Sequence, residues 1–415
     1  MTTAIRPESA ATVRDSYRET ELGLLPAEWK LVRLEEVIEG TQTRDPRKNA
    51  DKEFLYLDVS SVSNTSHRVD SWRSLFGREA PSRARKVIRE GDTVFATVRP
   101  YLKNIALVPG DLDNQICSTG FCVLRANPAV LQPRFLYYSV LSRRFVDRVV
   151  EKQSGSSYPA VSDGAVTEET IPLPPLPEQR AIAAVLGTVQ AAIEATERVI
   201  AAAQELKRSL MRHLFTYGPI PVDQANQVPL QETEIGPVPA HWQVVELGEV
   251  VTLQRGNDLP RKQRKPGPYP VMGSNGVVGF HAEFVSRGPG VLVGRSGSVG
   301  ATSWTDSRFW PLNTALWVRD FHGNDPKYTY YLLDYVHLED YSAGVSVPTL
   351  NRNLLHPIRI GRPPAREQLN IALALTATDA RIQAEQGKAH ALNQLYGSML
   401  HHLMTGKVRV KTADM

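Results

Sequence analysis

The chain of 415 residues repeats itself, and this repeat limits its possible folds more than any local pattern does. Residues 25–37, LPAEWKLVRLEEV, return at 238–250 as VPAHWQVVELGEV, with Pro26, Ala27, Trp29, Leu34, Glu36 and Val37 recurring 213 positions later. Towards the end of each half, GSSYPAV at 155–161 matches GVSVPTL at 344–350, now 189 positions apart. That spacing then persists, carrying Pro174, Pro175, Glu178, Gln179, Ile182, Leu186 and Ile193 onto Pro363, Pro364, Glu367, Gln368, Ile371, Leu375 and Ile382, and His213-Leu214 onto His402-Leu403. The two spacings differ by 24 residues, so the ends of the halves are shared and their interiors are not. Two similar frames with dissimilar interiors suit the presentation of two different recognition surfaces.

Each half opens on its tryptophan and continues with short β-rich runs, GDTVFATV from Gly91 and GVLVG from Gly290. PRFLYYSVLSRRFVDRVV from Pro133 and PKYTYYLLDYVHLEDY from Pro326 space their apolar residues as helices do, which predicts a mixed α/β domain in each half. A proline cluster follows, IPLPPLPEQ at 171–179 and IGRPPAREQ at 360–368. It forces an extended approach and leaves Glu178 or Glu367 in the first turn of a helix, where a carboxylate is favoured.

In the first long helix Ile182, Leu186, Val189, Ile193, Thr196, Ile200, Ala203, Leu210 and Leu214 alternate by four and three, with Lys207 the exception. In the second, Ile371, Leu375, Thr378, Ile382, Ala389, Leu392, Tyr396, Met399 and Leu403 continue the same pattern, interrupted by Glu385. Such stripes are coiled-coil seams and must be buried, which two antiparallel helices achieve by packing together. A helix over 178–215 spans roughly 55 Å at 1.5 Å per residue. The expected architecture is therefore two α/β (α+β) domains in tandem, joined by two long antiparallel coiled-coil helices with approximate two-fold symmetry. Domains held about 50 Å apart can reach two separate stretches of a DNA duplex that advances roughly 34 Å per turn.

Charge and cysteine content narrow the setting. The net charge of +4 permits a polyanionic partner without demanding one. No apolar run is long enough for a membrane span and the N-terminus lacks the core of a secretory signal, so the expectation is a cytoplasmic protein with no membrane partner. Cys117 and Cys122 are too few for a disulfide framework or a thiolate zinc site, and no metal site is expected.

The anchors resemble those of type I restriction-modification specificity subunits. The resemblance is carried by Pro-x-x-Trp at 26–29, Gly-Asp-Thr-Val at 91–94, the loops at Gly155 and Gly344, and above all PLPPLPEQ at 172–179 before a long helix. It covers nearly the whole chain and departs at 360–368, where the proline run is shorter. It implies two target recognition domains and two conserved spacers that bind two modification subunits, forming an adenine-N6 methyltransferase. Restriction subunits joining through these would complete a nuclease. S-adenosylmethionine, ATP and Mg are then expected in the partners, with no cofactor in this chain. On this reading residues 1–24 are an N-terminal extension, 25–170 and 238–359 the recognition domains, 171–218 and 360–406 the spacer helices, 219–237 a linker and 407–415 a tail.

The candidate DNA contacts lie mainly in the divergent interiors. Arg83, Arg85 and Lys86 in SRARK, and Arg261, Lys262, Arg264 and Lys265 in RKQRK, are candidates for phosphate contacts; their alternative is a solvated loop. Arg99, Tyr101 and Lys103 in TVRPYLKN, and Arg295, Ser296 and Ser298 in GRSGSVG, follow strands at corresponding places and are the candidate base readers, with turn chemistry as the competing explanation. Ser157 and Ser346, in the matched loops, are candidates for backbone contacts or plain turns. Gly294, Gly297 and Gly300 lack the ending of a nucleotide loop and read as turns. His401 and His402 are adjacent and cannot chelate from one helix face, while Trp29 and Trp242 read as core anchors.

Catalytic signatures are missing from the sequence: no Asn/Asp-Pro-Pro-Tyr/Phe motif, no P-loop, and no nuclease partner for Glu28-Trp29-Lys30 or Glu205-Leu206-Lys207. No catalytic residue is expected. Three other readings compete: a coiled-coil protein scaffold that does not touch DNA, an enzyme of the nuclease or methyltransferase class with an unrecognised site, and the specificity subunit of a related phage-defence methylation system.

Overall fold

The computed structural model describes residues 17–155, 158–343 and 348–410. The chain divides into two compact units, one made of residues up to 195 together with 389 onward, the other of 196–388. Each long helix therefore contributes one end to each unit. They run over Leu176–Tyr217 and Ala365–Met404, 42 and 40 residues. Among the described residues no helix is long and apolar enough to cross a membrane.

The globular part of the first unit contains an antiparallel sheet in the order Ile38–Glu39, Phe121–Ala126, Thr93–Ala96, Ile105–Leu107. A second sheet runs Arg73–Phe76, Glu53–Leu57, Gln115–Ser118, Ala84–Ile88, with its middle pair parallel. The second unit has the same first sheet, in the order Thr252–Arg255, Ala315–Asp320, Gly290–Gly294, Thr302–Thr305. Its other sheet keeps only Gly276–His281, Tyr269–Gly273 and Trp310–Pro311, again with a parallel pair. The strand equivalent to Ala84–Ile88 shrinks to one bridge between Ser286 and Phe309. The connection between Glu53–Leu57 and Arg73–Phe76 becomes a two-residue turn, Ser274-Asn275. That connection alone is 15 residues in the first unit (58–72) and two in the second, 13 of the 24 residues by which the halves differ.

Each of the two helical runs is divided in the structure. Pro133–Leu141 and Arg143–Glu151 are separate helices, and Pro326–Tyr335 ends before a short 3-10 turn, Leu338–Tyr341. Pro133 and Pro326 each occupy the first turn, where the missing N–H costs nothing, and Gln132 and Asp325 accept from the amides of Phe135 and Tyr328.

The proline clusters do two jobs. Thr170–Leu173 and Arg359–Arg362 are strands, paired with Lys30–Arg33 and Gln243–Glu246, and the helices begin only at Leu176 and Ala365. The spacer segments 171–218 and 360–406 are thus strand first and helix second. Residues 17–26 form a hairpin, Tyr17–Thr20 with Gly23–Pro26, whose copy is Leu230–Thr233 with Gly236–Pro239. The threonine hydroxyl closes each turn, Thr20 onto the Gly23 carbonyl and Thr233 onto that of Gly236, both at 2.6 Å. The extension 1–24 and the linker 219–237 therefore carry the first strands of the repeat.

Within the first unit Ile182 and Leu186 share a core with Leu403 and Met404, and Tyr396 and Met399 pack against it. Within the second, Leu214 lies with Ile371 and Leu375, flanked by Leu210. Each unit thus pairs the start of one long helix with the end of the other, and both stripes also enter the core of the globular part. Along the seam Ile193 and Ile382 are buried, while Val189, Ile200 and Leu392 are half-buried. Lys207, the break in the first stripe, meets Asp379 of the second helix at 2.7 Å, and Asp379 also accepts the Tyr331 hydroxyl at 2.8 Å.

Candidate nucleic-acid interface

In both units the frame that supports the loops is built by the same residues. Trp29 is fully buried and donates its indole N–H to Glu178 Oε2 at 3.0 Å; Trp242 donates to Glu367 Oε2 at 2.9 Å. Next to each glutamate, Gln179 Oε1 receives the amide of Gln132 and Gln368 Oε1 that of Asp325, both at 2.9 Å. The repeated Glu-Gln pair therefore locks the start of each long helix to the tryptophan and to the cap of a globular helix. Both tryptophans are core anchors. Gly218 and Gly406, in left-handed conformation beyond the long helices, lie against the openings of the repeat, and a β-carbon on Gly406 would run into Pro26. Arg409, assigned to the tail, clamps Glu178 at 2.5 and 2.8 Å and also pairs with Glu28, so this residue is part of the first unit's frame. In the second unit His241 takes the place of Glu28 and meets Glu367 at 2.8 Å.

On this frame, equivalent strands deliver equivalent loops. Beyond Thr93–Ala96 the chain turns through Arg99 and Lys103, both left-handed at φ 50° and 58°, on either side of the 3-10 turn Pro100–Leu102. Two non-glycine residues in this conformation within five positions store strain, as functional loops do. The loop is pinned by the Arg99 amide on the Pro159 carbonyl at 2.7 Å and the Val161 amide on that of Thr97 at 2.9 Å. Ser154 and Ala160 exchange two hydrogen bonds of 2.9 Å and close the neck of the adjoining loop. The Arg99 guanidinium lies 5.5 Å from the ring centre of Tyr158, which is 74% exposed, and Tyr101 is also exposed. Lys103 is half-buried with its carbonyl 3.0 Å from His67 Nδ1; burial pushes the His67 pKa down.

In the second unit Arg295 follows Gly290–Gly294 directly. Its amide and that of Ser296 donate to the Thr314 carbonyl at 2.8 and 3.2 Å, and its carbonyl accepts from Leu350 at 3.0 Å. The matching loop neck is closed by Ala343 and Thr349, again by two hydrogen bonds of 3.0 Å. Arg295 and Ser296 are half-buried and Ser298 is exposed. Gly294 must be glycine, because a β-carbon would collide with the Ser298 carbonyl. Ser157 and Ser346 lie outside the described residues.

The basic runs separate into structural and exposed cations. Lys86 pairs with Asp163 and donates to the Phe121 carbonyl at 2.6 Å, and Arg85 meets Asp45 at 3.3 Å. Arg264 donates to the Val278 carbonyl at 2.9 Å. These three, read from the sequence as phosphate contacts, each have an internal partner in this structure and are half-buried. Arg83, Arg261, Lys262 and Lys265 are exposed, with Lys265 only 3.7 Å from an exposed Glu283. Cys117 and Cys122 are buried, which pushes both thiols up, Cys122 to about 12. No cluster of three or more potential ligands for a metal ion occurs among the described residues.

The comparisons with known proteins agree with this geometry. The family described as type I restriction modification DNA specificity domain matches residues 26–205 and 239–394, one stretch in each half. The type I restriction enzyme MjaVIII specificity subunit of Methanocaldococcus jannaschii is 23% identical over 442 residues, covering 96% of this chain and 97% of that protein. A chain from a structure on the complex assembly and conformational transition of the type I R-M system is 32% identical, with TM-score 0.58, over 92% of this chain and 99% of that one. The S subunit of a type I system from M. genitalium, at 15% identity and TM-score 0.60 over 93% of this chain and 96% of that one, shares the fold. With both halves matched and the anchor residues doing the same work in each, this chain belongs to the family of type I restriction-modification DNA specificity subunits.

Proposed function

We propose that this chain reads a bipartite, asymmetric target in double-stranded DNA, one part with each globular domain, and contributes no catalytic group of its own. It docks two modification subunits, which hold S-adenosylmethionine and methylate adenine at N6. Through them it docks restriction subunits, which bring ATP and Mg. One observation carries the reading: equivalent strands on equivalent frames present loops that differ in the two halves, Arg99-Pro100-Tyr101-Leu102-Lys103 in one and Arg295-Ser296-Gly297-Ser298 in the other. Arg99, Tyr101, Arg295 and Ser298 are the leading base readers, and Arg83, Arg261, Lys262 and Lys265 the phosphate contacts.

Fluorescence anisotropy of the chain co-purified with modification subunits, titrated with duplex DNA at increasing salt, tests this. The expected result is an affinity that falls linearly on a log–log plot against salt, with a slope reporting several phosphates. Absence of salt-dependent binding would favour the protein-scaffold reading instead.

A further inference from the structure

The second unit carries a β-ribbon whose surface does not suit a solvent-facing edge. Tyr269–Gly273 and Gly276–His281 pair antiparallel around the two-residue turn Ser274-Asn275, with Gly276 at φ 86° supplying the left-handed residue after it. Gly276–His281 is the edge strand of its sheet, yet Val277, Val278 and Phe280 are 54%, 42% and 58% exposed, with Val285 close by in sequence at 40%. Edge strands of this kind are normally blunted, because exposed apolar side chains there invite association.

Exposed cations outnumber exposed carboxylates around the ribbon. The Arg264 bond to the Val278 carbonyl and the Lys265 amide bond to His281 Nδ1 at 3.0 Å fasten the RKQRK segment along the edge. Arg261, Lys262 and Lys265 are thereby placed beside it and exposed; Arg287 and Arg308 are exposed too, against the exposed carboxylates Asp258, Glu283 and Asp306. At the tip, the Ser274 hydroxyl would lie 3.4 Å from a β-carbon on Gly297, so the turn abuts the Arg295–Ser298 loop. Asn275 is exposed at the turn.

We infer that this ribbon enters the major groove of the second half-site, with Asn275 as a reader of adenine, Val277 and Phe280 against base edges, and Arg261, Lys262 and Lys265 on the flanking phosphates. The major groove admits a two-stranded ribbon, an asparagine side chain matches the N6 and N7 edge of adenine, and apolar side chains meet the thymine methyl. The inference rests on the DNA-reading function proposed above and adds an element to it. The first domain has no equivalent short ribbon, since its corresponding strands are joined by residues 58–72.

The test uses the full chain with its modification subunits and a duplex library randomised over both half-sites, sequenced after binding. Asn275→Ala is expected to reduce discrimination at one or two positions of the second half-site by roughly tenfold or more, leaving the first half-site untouched. The triple variant Arg261→Ala, Lys262→Ala, Lys265→Ala is expected to weaken binding to all sequences by a similar factor and to flatten the salt dependence. All four positions are exposed, so thermal unfolding should match the parent chain. If the parent selects a split target and these variants select and bind it unchanged, the ribbon assignment is overturned and DNA reading stands. If the parent selects no sequence, both fail. If Phe280→Ser abolishes self-association in sedimentation without altering DNA selection, the ribbon is a contact between copies and the inference is overturned.

Discussion

Alanine in place of Trp29 is expected to destabilise the first unit by about 3–5 kcal/mol, the cost typical of emptying a large buried aromatic site. Trp29 is fully buried, its indole N–H is bonded to Glu178, and Arg409 closes over the same carboxylate. Deleting the ring removes the packing beneath Gly406 and the hydrogen bond that fixes the start of the long helix. Trp29→Phe keeps most of the bulk and loses mainly that bond, so about 1–2 kcal/mol is expected for it. Trp242→Ala should behave alike in the second unit through Glu367. Urea unfolding followed by far-ultraviolet circular dichroism checks this. A Trp29→Ala protein with unchanged stability but weakened DNA binding would make the ring a base-stacking platform, contrary to its burial.

Replacing Arg99 with alanine is expected to reduce affinity for the cognate duplex by about 1–3 kcal/mol, the worth of one bidentate arginine–base pair. Preference at one position of the first half-site should be lost and the second half-site retained. Lysine should not restore the preference, because an ammonium cannot reproduce the planar fork. Arg99→Gly separates backbone from side chain. Arg99 holds φ 50°, a conformation that costs an L-residue roughly 1–2 kcal/mol and glycine nothing. The glycine variant should therefore be at least as stable as the parent while binding its target as poorly as the alanine variant. Binding isotherms on duplexes changed in one half-site at a time distinguish these outcomes. Unaltered selectivity in Arg99→Gly would reduce this loop to turn chemistry.

The frame was legible in the sequence because it is written twice. Trp29, Glu178 and Gln179 recur as Trp242, Glu367 and Gln368, and each set makes the same bonds. The hairpin that begins each half was also there to be found: Glu19, Thr20, Glu21 and Gly23 recur as Glu232, Thr233, Glu234 and Gly236, upstream of the more conspicuous tryptophan motif. The fate of individual charges was not legible. Lys86 finds Asp163 across 77 residues, and Arg409 finds Glu178 across 231. Nothing in a local run of cations distinguishes one with an internal acid from one facing solvent. The breaks in the helical stripe were visible, but the Lys207–Asp379 pair that accommodates one of them depends on packing between two helices far apart in sequence. The exposed ribbon was hidden for a related reason: an alternation of Val, Gly and Phe reads as an ordinary buried strand until its position at a sheet edge is known.

Mapping methylated adenines by single-molecule sequencing, in cells that co-express this chain with its modification subunit, decides whether the two domains read two separate half-sites. The expected result is one split motif, two short unlike blocks separated by a gap of fixed length in which any base is accepted. Assembly of the complex with no site-specific adenine methylation, or methylation at a single continuous motif, would contradict it.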